Sequence, residues 1–304
     1  MIQLDRILCP TDGSDVAEQA RRHALFLADA CEAEVHVVHV EERETQLADV
    51  IDVTEADVLE DLHLPPVPPE ASVAAPQVKQ RTVVHPSAAG GIRAYAAEKG
   101  VDLIVMGTHG RRGVERLVMG SVAQEVVRRA AQPVLTIGAN GPEPPVLADR
   151  DVLVPVDFSS HQKRLLAHAR GIAEVYGMGL VLLHVVERYR VPDAYGMNVA
   201  GPDGEALADR AEVILADLVA ELRGEGETVV HAVRSGHPVA GILDAADDFD
   251  AGLLAIASHG RSGLERMLMG SVSERVVRRA RCPVFTVKSF GHSLVPAEDE
   301  APSA

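Results

Sequence analysis

Four residues at a characteristic spacing are the ones in this chain best suited to chemistry. Gly107 and Gly110 are followed, after nine residues, by Gly120 and Ser121, and the segment lies between an apolar run and a helical pattern. Glycines let the backbone approach a ligand closely, and unpaired amides at a helix start, together with the helix dipole, favour an anion. The spacing therefore predicts a phosphate-binding loop.

The first turn of the helix after this loop would supply hydrogen-bond donors. The amides of Ser121, Val122 and Ala123 lie at the helix start, and the Ser121 hydroxyl adds a donor. Arg111 or Arg112 would supply the countercharge. The loop is of neither common type, because the motif GxxxxGKS/T is missing and no GxGxxG follows the first predicted strand.

A carboxylate stands at the end of the first predicted strand. Asp12 follows Pro10 and Thr11 directly after the apolar run. In a parallel sheet, ligands gather at the carboxyl ends of the strands near the switch point, and an acidic residue there can accept both ribose hydroxyls. Aspartate in such a turn also commonly caps the next helix, and the two roles are compatible. We expect Asp12 and the glycine loop to face one crevice.

The segment that carries the loop occurs twice in the chain. Thr108–Val134 aligns without gaps to Ser258–Val284, with 17 of 27 positions identical, and Ile7–Ser14 matches Val152–Ser159 upstream. A repeat of this extent in 304 residues indicates two domains of one kind.

The repeat defines the expected domain organisation. We expect a first domain at residues 1–140, a Gly- and Pro-rich linker at 141–150 and a second domain at 151–290. Residues 291–304 are polar and lack periodicity, so we expect a disordered tail there.

Each copy alternates short apolar runs with helical periodicities. Runs that are apolar throughout and are separated by helices indicate a parallel sheet covered on both faces. The pattern predicts an α/β chain of two tandem, doubly wound, five-stranded parallel-sheet domains. The predicted strands of the first copy are Arg6–Cys9, Val35–Val40, Arg81–Val84, Leu103–Met106 and Val134–Ile137.

The helical patterns of the two copies differ in one place. In the first copy, Val16–Cys31 predicts an amphipathic helix that Ser14 would cap. Between the second and third strands, Glu205–Arg223 carries an apolar helical face in the second copy. The first copy has the acidic segment Gln46–Leu62 there, and prolines end any helix in it.

The compound motif resembles the ATP-binding class of universal stress proteins. It consists of Gly-x2-Gly-x9-Gly-Ser, a Pro-Thr-Asp sequence after the first strand and the pair His39-Val40 closing the second strand. The resemblance covers residues 1–290 and implies a Rossmann-like, adenine nucleotide alpha-hydrolase-like fold. It also implies ATP as the ligand, with AMP and ADP as alternatives and Mg as a candidate companion ion.

Carried over to this sequence, the resemblance implies a nucleotide site in each copy. Asp12 would line the adenosine side, Val40 would meet adenine through its backbone, Gly107 would lie beside the ribose, and Gly110 with Gly120–Val122 would hold the phosphates. The candidate residues of the first copy are Pro10, Thr11, Asp12, Val40, Met106, Gly107, Gly110, Arg111, Gly120, Ser121 and Val122. Those of the second copy are Pro155, Val156, Asp157, Val185, Gly260, Gly270, Ser271 and Val272.

Each copy departs from the family pattern at one position of its loop. The second copy has Ala257 where the first has Gly107, and a methyl group there would crowd the ribose or forbid a positive φ. The first copy has Ala123 where the family usually has a hydroxyl, which the second copy keeps as Ser273. The second site is the poorer match.

Charge and composition exclude several classes of function. The 45 acidic and 29 basic residues give a net charge of −16, which repels polyanions, so we expect no nucleic-acid partner and no stable membrane association. The first residues lack the features of a signal peptide, and the longest apolar run, Leu180–Val186, is too short for a bilayer, so we expect a cytoplasmic protein. Cys9, Cys31 and Cys282 show neither disulfide nor zinc spacing, which predicts buried thiols.

No base, nucleophile or metal cluster accompanies the loop in the sequence. We interpret the exposed His109 and His259 as non-catalytic, and His39 and His184 as packing or capping residues. We expect a non-catalytic, ATP-binding switch or sensor of the stress response, with at most slow hydrolysis. The alternatives are a slow ATP-hydrolysing or adenylyl-transferring enzyme, and a dimerisation or interaction module whose nucleotide sites have decayed.

The last strand of each copy has its own expected role. Val134–Ile137 and Val284–Val287 end the two domains and have the character of edge strands, which invite another chain. In the family such strands resemble a dimerisation device, so we expect an internal pseudo-dimer of the two halves, with a homodimer as a further assembly.

Overall fold

The computed structural model describes residues 2–43, 76–108, 119–139, 141–187, 204–224, 228–259 and 269–296. The segment Gln46–Leu62 lies outside these residues. The elements of the first copy are β1 (Arg6–Pro10), α1 (Asp15–Cys31), β2 (Glu34–Glu42), β3 (Val78–His85), α2 (Ala88–Glu98), β4 (Leu103–Gly107), α3 (Ser121–Arg129) and β5 (Val134–Ile137). A short 3-10 helix (Pro144–Asp149) precedes the second copy, whose elements are β6 (Asp151–Pro155), α4 (Gln162–Tyr176), β7 (Gly179–Glu187), α5 (Gly204–Leu222), β8 (Val229–Gly236), α6 (Pro238–Asp248), β9 (Leu253–Ala257), α7 (Ser271–Arg279) and β10 (Val284–Val287).

The strands form one sheet in the order β3-β2-β1-β4-β5-β10-β9-β6-β7-β8. Within each copy, neighbouring strands pair in parallel. The predicted α/β class, with five parallel strands in each copy, is therefore confirmed. The chain reverses its direction of travel across the sheet between β1 and β4, and again between β6 and β9, and doubly wound folds bind their ligands at such switch points.

The two copies are joined through the middle of this sheet. β5 and β10 pair antiparallel, with Leu135 opposite Phe285. Each of these strands is the edge strand of its own copy, as predicted, and it pairs with the edge strand of the other copy. The internal pairing that the family resemblance implied is present.

Side chains from β1 show why the strand sequences are apolar throughout. Ile7 and Cys9 face one core, which lies between the sheet and α1, α4 and α5, whereas Leu8 faces a second core under α2, α3, α6 and α7. Successive side chains of a strand point to opposite faces, so a sheet covered on both faces needs apolar residues at every position.

The two predicted helices form as expected. The hydroxyl oxygen of Ser14 accepts a hydrogen bond from the Ala17 amide at 3.3 Å and so caps α1. The inward side of α1 repeats every three to four residues, with Ala20, Ala24 and Leu27 fully buried. The pattern at Glu205–Arg223 corresponds to α5.

Residues of the predicted linker and of the predicted tail pack into the first core. Leu147, inside the predicted linker, is fully buried. The prediction of a disordered tail is wrong for residues 291–296, because Leu294 and Val295 are only 1% and 6% exposed and join the first core. The amide of Gln3 donates to the Leu294 carbonyl at 2.7 Å. Residues 297–304 lie outside the described part of the chain.

The sequence predicts that the three cysteines are buried thiols. Cys9, Cys31 and Cys282 are free thiols, and burial raises the pKa of Cys9 and of Cys282 to about 12.

Within the part of the chain that the structure describes, no helix combines the length and apolar character needed to cross a bilayer.

Candidate functional site

The start of α3 is arranged to bind an anion in the first copy. Gly120 is the N-cap residue, and its amide donates to the Thr108 carbonyl at 2.7 Å, which ties the helix start to the end of β4. Among the described residues no side chain caps the helix, and its first internal bond is made by the Gln124 amide to the Gly120 carbonyl at 2.9 Å. The first amides of an α-helix have no partner within the helix, and they point towards its start.

The second copy repeats this geometry at α7. The Gly270 amide donates to the Ser258 carbonyl at 2.8 Å, and no side chain in the described part of the chain caps the helix. The backbone of Gly270, with φ −60° and ψ 145°, matches that of Gly120, with φ −64° and ψ 154°. Both helix starts therefore present Ser and Val, at 121–122 and 271–272, in the same conformation.

The predicted ribose carboxylates are held in matching turns. One oxygen of Asp12 accepts the Ser14 amide at 3.1 Å, and one oxygen of Asp157 accepts the Ser159 amide at 3.1 Å. In the first copy the helix cap itself is Ser14, so Asp12 stabilises the turn before the helix. The carboxylates are oriented by these bonds and partly exposed.

Histidines attach these turns to the neighbouring strand. Nδ1 of His39 lies 2.9 Å from the Thr11 carbonyl oxygen, and Nδ1 of His184 lies 2.8 Å from that of Val156. A carbonyl can only accept, so Nδ1 carries the proton in both rings. The interpretation of these histidines as packing residues fits the contacts, and their effect is to position the turns that carry the aspartates.

The two valines expected to contact adenine lie beyond the last residue at which their strand pairs with its neighbour. The last register pair between β1 and β2 is Pro10 with Val38, so Val40 lies two residues beyond it. In the second copy the last pair is Pro155 with Leu183, and Val185 again lies two residues beyond. The backbone edge of each valine is consequently open towards the switch point.

Two glycines that the sequence analysis did not single out pack on these valines. A Cβ atom at Gly91 would lie 2.8 Å from Val40 Cγ1, and one at Gly241 would lie 3.0 Å from Val185 Cγ1. The signal was available, because both glycines precede isoleucine at equivalent points of the repeat. They let α2 and α6 approach the site closely.

The structure corrects the reasoning about Gly107 and Ala257. Neither residue is among the positive-φ positions of the described chain, so the idea that a methyl group would forbid a positive φ is wrong. A Cβ at Gly107 would instead lie 3.0 Å from Val16 Cγ1 and 3.1 Å from the Val16 carbonyl carbon. α1 starts at Asp15, whereas α4 starts only at Gln162, two residues later in the repeat, which leaves room for the Ala257 methyl group.

The second departure from the family pattern also has a local explanation. The Ser273 hydroxyl donates to the Ala257 carbonyl at 2.8 Å. The Ser273 hydroxyl thus links the start of α7 to the end of β9. Ala123, its counterpart in the first copy, is 3% exposed and packs in the core.

A cleft of about 960 Å³ at the second switch point brings the predicted residues of that copy together. Its volume lies in the range of small-molecule sites. All seven predicted residues that fall in the described chain line it, namely Pro155, Val156, Asp157, Val185, Gly270, Ser271 and Val272. Ile256, the counterpart of Met106, lines it as well. Met106 itself is 4% exposed and belongs to the core under α2 and α3.

The cleft also contains residues that sequence reasoning missed. Arg210 on α5 and Gln162 at the start of α4 line the cleft, and so does His259, which the sequence analysis interprets as non-catalytic. Phe158 adopts φ 57°, where the first copy has Gly13 at φ 74°, and its ring stacks on His184 at 4.3 Å between centroids. A left-handed non-glycine residue stores strain, and such residues cluster at functional sites.

The remaining predicted residues cannot be placed. Gly110, Arg111 and Gly260 lie outside the described residues, as do His109 and Arg112. His259 is described, and its Nδ1 lies 3.0 Å from the Ser258 hydroxyl. Among the described residues, no group of three His, Cys, Asp or Glu side chains is arranged to hold a metal ion.

Two doubly wound units in one sheet, each with an open helix start at its switch point, define this chain as a tandem of Rossmann-like α/β domains. The family model described as the universal stress protein family matches residues 3–138 and 150–288. The chain belongs to the universal stress protein family and carries its domain twice.

Individual relatives agree with this assignment. Universal stress protein Rv2005c of Mycobacterium tuberculosis is 31% identical over 189 residues, which is 62% of this chain and 62% of that protein. The match thus spans less than two thirds of that relative. A universal stress protein crystal structure from Archaeoglobus fulgidus DSM 4304 has a TM-score of 0.63 at 24% identity, covering 94% of this chain and 99% of that chain, and shows the same fold.

One solved relative carries a nucleotide. The universal stress protein from Archaeoglobus fulgidus in complex with dAMP is 24% identical and covers 46% of this chain and 98% of that chain, with a TM-score of 0.33. This likeness is too low to assign a ligand to the present chain.

Proposed function

We propose that each copy of this chain binds an adenine nucleotide, with ATP as the first candidate, in the crevice at its switch point. One observation carries the proposal. An open helix start, an oriented carboxylate and an open strand edge line a single cleft in the second copy, at Ser271, Asp157 and Val185. The first copy has the same elements at Ser121, Asp12 and Val40.

The three features match the three parts of a nucleotide. The amides of the α7 start and the Ser271 hydroxyl suit phosphate oxygens. The Asp157 carboxylate suits ribose hydroxyls, and the backbone of Val185 suits the hydrogen-bonding edge of adenine. Arg210 adds a cation for the phosphates of the second site. Magnesium accompanying ATP would be held mainly by the phosphates.

The nucleotide acts as a regulatory ligand in this proposal. Among the described residues that line the second cleft, the Asp157 carboxylate accepts the Ser159 amide, and Nδ1 of His259 lies beside the Ser258 hydroxyl. Binding at a crevice shared by the sheet and two helix starts would change the conformation around it. The chain would then work as a nucleotide-dependent switch of the stress response.

The test adds one negative charge at each phosphate position. In Ser121→Asp and Ser271→Asp the acidic residue favours the helix start, so folding is retained, but it repels phosphate. Two unit charges about 5 Å apart at an effective dielectric of about 20 repel by about 3 kcal/mol, or roughly 100-fold in affinity. Titration calorimetry with ATP should show one site lost in each variant and both lost in the double variant.

A matched control adds the same charge elsewhere. Ala94 is exposed on α2, so Ala94→Asp should leave both ATP affinities unchanged. ATP binding that survives in the double variant would refute the proposed site. Multiple turnover of ATP that Asp12→Ala abolishes would favour the enzyme alternative instead.

A further inference from the structure

The residues that follow β10 form a segment that crosses between the two copies. We call residues 288–295 the strap. It runs from the end of the central strand pair to the buried Leu294 and Val295. The sequence predicted most of it to be a disordered tail, and its contacts therefore require an explanation.

The second copy anchors the strap at three points. The Ser289 amide donates to the Ser258 hydroxyl at 3.1 Å, next to the phosphate loop of the second site. The Arg164 guanidinium donates to two consecutive strap carbonyls at 3.0 and 2.7 Å. The Leu294 amide donates to Nε2 of His168 at 3.0 Å, and His168 is fully buried. The strap is thus held along its length.

From these anchors the strap holds the far end of α3 in the first copy. The Lys288 ammonium donates to the Val127 carbonyl, and the His292 amide donates to the Ala131 carbonyl at 3.1 Å. Gly291 has φ 104°, and a Cβ there would lie 2.5 Å from the Ala131 oxygen, so only glycine fits this approach. The carbonyls at a helix C-terminus lack partners within the helix, and the strap supplies them.

Lys288 is an unusual residue for such a contact. It is 4% exposed, and its bond to Val127 is the one that the described residues show for its amine. A buried amine is costly without a partner, and the C-terminal end of a helix dipole favours a cation. Lys288 therefore holds the end of α3 through the hydrogen bond from its amine.

The first nucleotide site lies at the other end of the same short helix. α3 has nine residues, which corresponds to a length of about 13 Å. Its start, at Gly120 and Ser121, carries the proposed phosphate donors. A shift at Val127 would be transmitted to those donors, because a helix of this length moves as a rigid body.

The arrangement is not reciprocal. The first copy has Gly138 at the position equivalent to Lys288, and a glycine has no side chain with which to hold the end of α7. This difference between the two copies makes their sites unequal, for a reason unrelated to Ala257.

We infer that Lys288, carried by the strap of the second copy, is a positioning residue for the nucleotide site of the first copy. The inference rests on the proposed function. The first site then depends on the second copy for its full affinity, whereas the second site does not depend on the strap in this way.

The experiment measures each site separately. Ser271→Asp leaves only the first site and Ser121→Asp only the second, and the affinity of each for ATP is measured by titration calorimetry with and without Lys288→Met. We expect the substitution to weaken the first site about fivefold or more and to leave the second within about twofold. The exposed lysine of α4 gives the matched control, since Lys163→Met should change neither site.

Other outcomes decide against the inference. An unchanged first site, or an equal loss at both sites, would overturn it. If Lys288→Met does not fold, Lys288→Leu removes the same amine with a shorter side chain and leaves the other strap contacts in place, and the same difference between the two sites is expected. Failure of the wild-type chain to bind ATP would overturn the proposed function itself, and is thereby distinct from a failure of the strap inference.

Discussion

The buried amine of Lys288 gives a prediction about stability that can be worked out in detail. Burial lowers the pKa of this lysine from 10.5 to about 7. In the unfolded chain the amine is exposed and keeps its ordinary pKa, so between pH 7 and 10.5 the unfolded state binds more protons than the folded state. Stability contributed by this group therefore rises with pH across that window.

The magnitude follows from the two pKa values. The interval between the pKa values of about 7 and 10.5, at about 1.4 kcal/mol for each unit, corresponds to roughly 5 kcal/mol. Below pH 7, burial of the charged amine lowers the free energy of unfolding by this amount. Lys288→Met removes this cost and loses one hydrogen bond worth about 1 kcal/mol. At pH 6 we expect the variant to be more stable than the wild type by roughly 4 kcal/mol.

Urea unfolding at several pH values measures this effect. The advantage of Lys288→Met should shrink by about 1.4 kcal/mol per pH unit between pH 7.5 and 9.5. Lys163→Met, at an exposed position, should differ from the wild type by an amount that does not vary with pH. A wild-type to Lys288→Met difference that stays constant from pH 6 to 9.5 would refute the reasoning. Because the variant is expected to be more stable, its weaker first site could not be attributed to unfolding.

Three further predictions concern the differences between the copies. Ser14→Ala should cost about 1 kcal/mol of unfolding free energy by removing the α1 cap, whereas Ser159→Ala should cost almost nothing, and equal losses would contradict the capping geometry. Gly107→Ala should cost about 1–3 kcal/mol by overpacking against α1, while Ala257→Gly should cost less, as measured by urea unfolding. Arg210→Ala should weaken ATP binding several-fold at the second site alone in titration calorimetry, and an effect on the first site would contradict its placement.

The fold was largely predictable because its signals are local and repeated. The apolar run Leu103–Met106 and the mostly apolar run Val134–Ile137 correspond to β4 and β5, since a sheet covered on both faces favours that pattern. The cap at Ser14 follows from the preference of serine for helix starts. The spacing of the glycines predicts the two helix starts at Gly120 and Gly270, because glycine is also favoured at the residue that precedes a helix.

The features that were missed depend on contacts distant in sequence. Arg210 reaches the second cleft from α5, and no local motif relates that residue to Ser271. The strap has a polar composition, but Leu294 and Val295 pack against a core built mainly from other segments. Gly107, which the resemblance places beside the ribose, also lets Val16 approach closely because it lacks a side chain, and no local motif indicates that packing role. Tertiary packing decides such positions, and one sequence does not reveal it.

The amount of nucleotide bound per chain tests the central claim most directly. Titration calorimetry of the intact chain with ATP should give two sites per chain, because both copies present an open helix start beside an oriented aspartate. Ser121→Asp and Ser271→Asp should each reduce that number to one. A wild-type chain that binds no adenine nucleotide would contradict the account.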